Sequence, residues 1–215
     1  MKKLLITVAA VMLATSAYAT DLPNKKKAPV VPAPVAATEA SSSTDSLTVA
    51  YGQDLGNNFG AKVDDLYQLT YSHDLGKGLS VGGMAQTTQA PSSLLNQSVE
   101  GQVGYALPAM NNITLSGKLG VGERFATTNF PYVAVYGNVD YKINDKVTLN
   151  AVQYTYTTAI DADKYDYKSN QLGTGITYNI TKKYAVNASV TRTFDTSSKF
   201  NATGDQFMVG LTTNF

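Results

Sequence analysis

The chain has 215 residues, of which 43% are hydrophobic and only 15% charged, well under the ~25% charged content of an ordinary soluble domain. With no Cys and a single His, a disulfide framework, a thiol nucleophile and any thiolate or multi-His metal site are excluded. The formal net charge of +1 provides no basic field for nucleic acid.

Lys2 and Lys3 precede the apolar run Leu4–Leu13, and Ala17-Tyr18-Ala19 supplies small residues for cleavage. That pattern predicts a secretory signal peptide over 1–19, with an apolar core too short to span a bilayer as a helix. Residues 20–44 follow as a Pro/Ala/Lys-rich linker. Pro23, Pro29, Pro32 and Pro34 forbid a helix interior, and the Ala/Ser/Thr tail has nothing to bury. Lys25, Lys26 and Lys27 could touch an anionic polymer or lipid surface, which makes peptidoglycan a candidate partner, or they could serve only to keep the tether solvated.

From residue 45 onward the sequence alternates. Val99, Gly101, Val103, Tyr105 and Leu107 share one parity, and Ser98, Glu100, Gln102, Gly104 and Ala106 share the other. The same period of two predicts strands over 46–54, 65–75, 79–88, 98–107, 113–122, 133–143, 147–158, 171–180, 184–191 and 206–215. The polar parity is mostly uncharged Ser, Thr, Asn, Gln and Gly, unlike the Lys/Glu-rich face of a soluble sheet. No second layer is available to cover the apolar parity, so lipid is its natural partner. In hydrocarbon every backbone group must be paired, so the sheet must close. The expected fold is all-β, a transmembrane antiparallel up-and-down barrel of ten strands over 45–215, with eight strands and two unpaired hairpin segments as the alternative.

Short turns at 76–78, 108–112, 144–146 and 181–183 alternate with longer loops at 55–64, 89–96, 123–131, 159–169 and 195–204. This places both ends, and hence the linker, on the short-turn side, which is periplasmic in barrels of this type. In the seventh strand Val147, Leu149 and Ala151 share one parity while Val152, Tyr154 and Tyr156 take the other. A bulge near Ala151 is favoured over tyrosines pointing inward. Tyr71, Tyr105, Tyr141, Tyr178, Tyr184 and Phe215 form a membrane girdle near the short-turn rim, and Tyr51, Tyr67, Phe194 and Phe207 form one nearer the other rim. Pairing Leu75 with Leu79 places Tyr71 beside Gly83.

These segments together resemble a small bacterial outer-membrane β-barrel protein, and the resemblance covers 46–215. It implies a Gram-negative outer membrane, contact with its lipids and lipopolysaccharide, and insertion by the barrel-assembly machinery. The ending Met208-Val209-Gly210-Leu211-Thr212-Thr213-Asn214-Phe215 is similar to the assembly signal of that class at Gly210 and Phe215. It departs from the signal at Met208, where a polar residue is usual, and at Thr213, where a hydrophobic or aromatic one is usual. The stretch Asp21-Leu22-Pro23-Asn24 with its three lysines also resembles the mature starts of some alphaproteobacterial porins.

No catalytic site is expected. His73, the only imidazole base, has Ser72 and Asp74 as neighbours on one strand, where adjacent side chains point to opposite faces. Asp161, Asp163 and Asp166 have calcium-like spacing but lack the Gly turn and the bidentate Glu of a calcium loop, and no metal or other cofactor is implied. The lumen carries the informative charges: Glu100, Lys118, Arg124 and Asp140, with Tyr136 beside them. Pairing Leu107 with Asn111 puts Glu100 opposite Lys118, which predicts an ion pair within the barrel. The expected function is a narrow, passive, weakly selective pore for small solutes. The alternative is a non-conducting barrel serving structure or surface interaction.

Overall fold

The structure, a computed structural model, describes residues 44–89, 95–195 and 201–215. The expected signal peptide, all but the last residue of the expected linker, and parts of two long loops (90–94 and 196–200) lie outside the described residues. Ten strands run in chain order: β1 (Asp45–Leu55), β2 (Lys62–Gly76), β3 (Leu79–Gln89), β4 (Leu95–Ala106), β5 (Ile113–Phe125), β6 (Phe130–Lys142), β7 (Val147–Ala159), β8 (Lys168–Asn179), β9 (Tyr184–Phe194) and β10 (Ala202–Asn214). One short helix, α1 (Ala162–Tyr165), sits between β7 and β8. Each strand pairs antiparallel with its sequence neighbours, and β1 pairs with β10 to close the barrel.

Strand length matches a membrane crossing. The shortest strands have 11 residues, ~36 Å at ~3.3 Å per residue. At a tilt of ~40° such a strand rises ~28 Å, enough for an apolar band of ~25 Å. Several strands extend beyond their predicted bounds at the long-loop end, notably β2, β8 and β10. There the outward parity carries Lys62, Glu123, Lys168, Arg192 and Asp205. Beyond the apolar band the outer wall has no reason to stay apolar, so the alternation that marks a strand in the sequence fades while the ladder continues.

Within the band the two faces separate. Outward side chains such as Val49, Leu119, Val121 and Leu211 are exposed, Leu119 at 59%, whereas inward Leu66 and Ala134 are at 1%. In β7 the bulge is present. Val139 faces Val152 while Asp140 faces Asn150, so Ala151 is the extra residue. The bulge turns Val152 and Tyr154 outward, where both are exposed.

Two turns set register. Lys77 and Gly78 both have positive φ, the geometry of a two-residue hairpin turn matched to strand twist. Tyr71 lies beside Gly83 as expected, but Leu75 does not face Leu79. Gly76 does, and Leu75 is taken up in a local irregularity between Asp74 and Gly76. In the β4–β5 connection, Asn111 and Asn112 both have positive φ, and Met110 bridges Ile113. Asn tolerates this left-handed backbone better than most residues, so the tight turn centres there rather than at Ala109, the midpoint of the expected Leu107–Asn111 pairing. Consequently Gly104, not Glu100, stands opposite Lys118.

The seam is closed by Asp45 and Phe215, whose backbones exchange hydrogen bonds of 3.0 and 2.9 Å. The Asp45 carboxylate accepts from the Tyr71 hydroxyl at 2.7 Å, and the same oxygen lies 2.6 Å from His73 Nδ1. In the turn after β6, Lys142 pairs with Asp145 at 2.7 Å and by its hydrogen bond holds that exposed carboxyl below the ordinary value.

Candidate functional site

The lumen is built by the inward parity of all ten strands. The expected Glu100–Lys118 ion pair is not formed. Glu100 faces Gly122, and among the described residues Lys118 belongs to none of the Lys/Arg ion pairs, which are Lys62–Asp65, Lys142–Asp145 and Arg192–Asp205. The Asn111–Asn112 turn shifts the hairpin by four residues from the expected pairing. An even shift keeps both side chains inward but separates them along the wall.

Glu100 is held instead by uncharged donors. The Tyr136 hydroxyl lies 2.8 and 2.9 Å from its two oxygens, and Gln102 Nε2 donates to Oε1 at 2.7 Å. Only 2% of Glu100 is exposed. Two glycines of β5 make this possible. A Cβ on Gly120 would fall on the Glu100 carboxylate, and one on Gly122 would lie 2.7 Å from Tyr132 Cζ. The missing side chains are therefore the space into which Glu100 and Tyr132 fold.

The remaining expected lumen charges are spread along the axis. Arg124 lies towards the long-loop end, its guanidinium 4.8 Å from the centre of the Tyr167 ring. Tyr167 comes from the β7–β8 loop and packs on Phe130, with ring centres 5.1 Å apart. Asp140, near the short-turn end, accepts from Asn150 Nδ2 at 2.8 Å, and Asn150 accepts in turn from Thr177 at 3.1 Å. Lys118 faces Tyr136 across the β5–β6 ladder.

Sequence reasoning missed Tyr132, Tyr167 and a pair of carboxylates. Asp54 and Asp64 stand directly opposite on the lumen side of β1 and β2. Gln206 donates to Asp54 Oδ1 at 2.7 Å, and Asp64 Oδ1 is buried with no hydrogen-bond partner among the described groups. Asp64 falls at the end of the expected 55–64 loop, and only its shared parity with inward-facing Leu66 could have signalled this position. Tyr167 carries no such signal, because a loop residue has no parity. In the same way, only Asn111-Asn112, a pair suited to a two-residue turn, could have corrected the β4–β5 register.

Among the described residues, two adjoining cavities lie in the lumen. The upper one, towards the long loops, has a volume of about 330 Å³, and the lower one about 370 Å³. Both are bordered by Gln68, Met84, Tyr136, Asn138, Gln153 and Ser189, a shared belt, the waist, at which the two adjoin. On the outer wall, Tyr105, Tyr141, Tyr178, Tyr184 and Phe215 are exposed at the short-turn end, while Tyr71 is half-buried against Asp45. Tyr51 and Tyr67 pair at the other rim, with ring centres 5.4 Å apart. Gly210 is buried against Asn187 and Ala50, where a Cβ would come within 2.6 Å of Asn187 Oδ1.

A closed ten-strand barrel with an apolar exterior and a hydrophilic interior defines an outer-membrane β-barrel protein. The model of the outer membrane protein beta-barrel domain matches residues 5–215, and the chain belongs to that family. No curated protein sequence matches it. Among solved structures it is similar to the NanC porin (TM-score 0.50, 14% identity, covering 78% of this chain and 98% of that one). It is also similar to the KdgM porin (0.45, 13%, 79% and 99%) and to Ail, the attachment invasion locus protein of Yersinia pestis (0.38, 13%, 80% and 99%). At these identities the likeness concerns the fold alone.

Proposed function

We propose that the protein is a narrow passive pore for small solutes in the outer membrane, without enzymatic activity, with lipids and lipopolysaccharide around its wall and the barrel-assembly machinery as its route of insertion. The observation that carries this reading is the pair of hydrophilic chambers stacked through the barrel and meeting at one waist. A barrel of this strand number sealed for purely structural reasons would be filled by larger side chains. Here many inward positions are Gly, Ser, Thr or Asn. The N-terminal linker joins β1 at the short-turn end and lies in the periplasm, where its lysines can meet peptidoglycan. Single-channel recording of the mature protein in a planar bilayer tests the pore: discrete conductance steps are expected, and a silent bilayer containing correctly folded barrel would refute it.

A second reading, a non-conducting barrel presenting its loops to a partner, is favoured by the waist itself. Met84, buried at the waist, accepts from Gln68 at 2.8 Å, and Leu66, elsewhere on the inward face, is fully buried. Deletion of the loops with loss of cell or phage attachment, in a protein that shows no conductance, would support it.

A further inference from the structure

We infer that the upper chamber receives uncharged polyhydroxylated solutes of sugar or polyol type, an assignment that rests on the pore reading and names its solute class. Of the 22 residues lining the chamber, fifteen are Gln, Asn, Thr or Ser. Each amide offers both donors and an acceptor, and each hydroxyl can do either. Such a wall can exchange the water around a ring of hydroxyls for protein hydrogen bonds without demanding a charge.

The two charged residues of the chamber do not stand free as ion receptors. Glu100 is almost wholly covered, its oxygens taken by Tyr136 and Gln102. The Arg124 guanidinium stacks on Tyr167. Along the axis both signs occur: Arg124 and the Asp54/Asp64 pair towards the long-loop end, then Glu100, Lys118 and Asp140 downward. An ion of either sign therefore meets a like charge within the passage and must exchange hydration for a wall of mostly uncharged groups. An uncharged solute meets neither penalty. The chamber volume of about 330 Å³ lies at the small end of the ~300–1,000 Å³ typical of small-molecule sites. This fits one or two sugar rings rather than a polymer held whole.

The test uses the mature protein in proteoliposomes with three solutes of one size: glucose, gluconate and glucosamine. Uptake of glucose at least threefold faster than either ion is expected. Equal or faster uptake of gluconate or glucosamine would overturn the inference while leaving the pore intact. The double variant Gln86→Leu/Gln171→Leu, on the chamber wall, should slow glucose several-fold, and more than it slows gluconate or glucosamine. Unchanged glucose uptake in that variant would count against the assignment. If nothing crosses, the pore reading fails, and saturation-transfer NMR with glucose then decides the chamber separately. A signal lost in the double variant supports the solute class, and no signal in the native protein refutes it.

Discussion

The Tyr136 hydroxyl lies 2.8 and 2.9 Å from the two carboxylate oxygens of Glu100, and among the described residues no cation forms an ion pair with that carboxylate. Its close contacts are hydrogen bonds from uncharged donors. Tyr136→Phe should therefore leave a buried charge short of a donor and cost roughly 1–3 kcal/mol. Urea unfolding from lipid vesicles, followed by Tyr fluorescence and by band shift on unheated gels, measures the loss.

Gly120 is bare because Glu100 occupies the place of its side chain. Gly120→Ala should destabilise the barrel by roughly 1–3 kcal/mol through overpacking. The same change in a Glu100→Ala background should cost markedly less, with a coupling of about 0.5–3 kcal/mol in the double-mutant cycle. Additive effects would mean that the two residues do not share this space.

Leu119 and Lys118 are neighbours on opposite faces of β5, and the contrast between them reports which face meets lipid. Leu119→Lys, on the outer wall near mid-barrel, should cost about 2–4 kcal/mol of folding free energy in a bilayer. Lys118→Leu should cost much less and should alter conductance instead. Equal costs in vesicle refolding titrations would contradict the assignment of faces.

Ala151 is the residue that restores parity in β7. Its deletion forces Val152, Tyr154 and Tyr156 inward or pushes Leu149 out of phase, and should abolish the heat-modifiable folded band. Ala151→Ser keeps the residue count and should fold normally. A deletion variant that still assembles would show that the bulge can migrate along the strand.

The period of two in the sequence determined the number of strands, their order, the face each residue takes and even the bulge at Ala151, because burying a side chain in acyl chains or in a hydrophilic lumen is decided one residue at a time. It could not decide register. A slip of two or four residues returns every side chain to its own face, so the alternation that reveals a barrel is indifferent to which residues stand opposite. Glu100 faces Gly122 rather than Lys118 because Asn111 and Asn112 adopt the left-handed turn. Tyr136 of β6 meets the carboxylate because Glu100 folds over the bare Gly120 of β5. Those partnerships, and the entry of Tyr167 from a loop, belong to the closed barrel alone. Only closure brings to one axis residues whose separation in the chain carries no periodic sign.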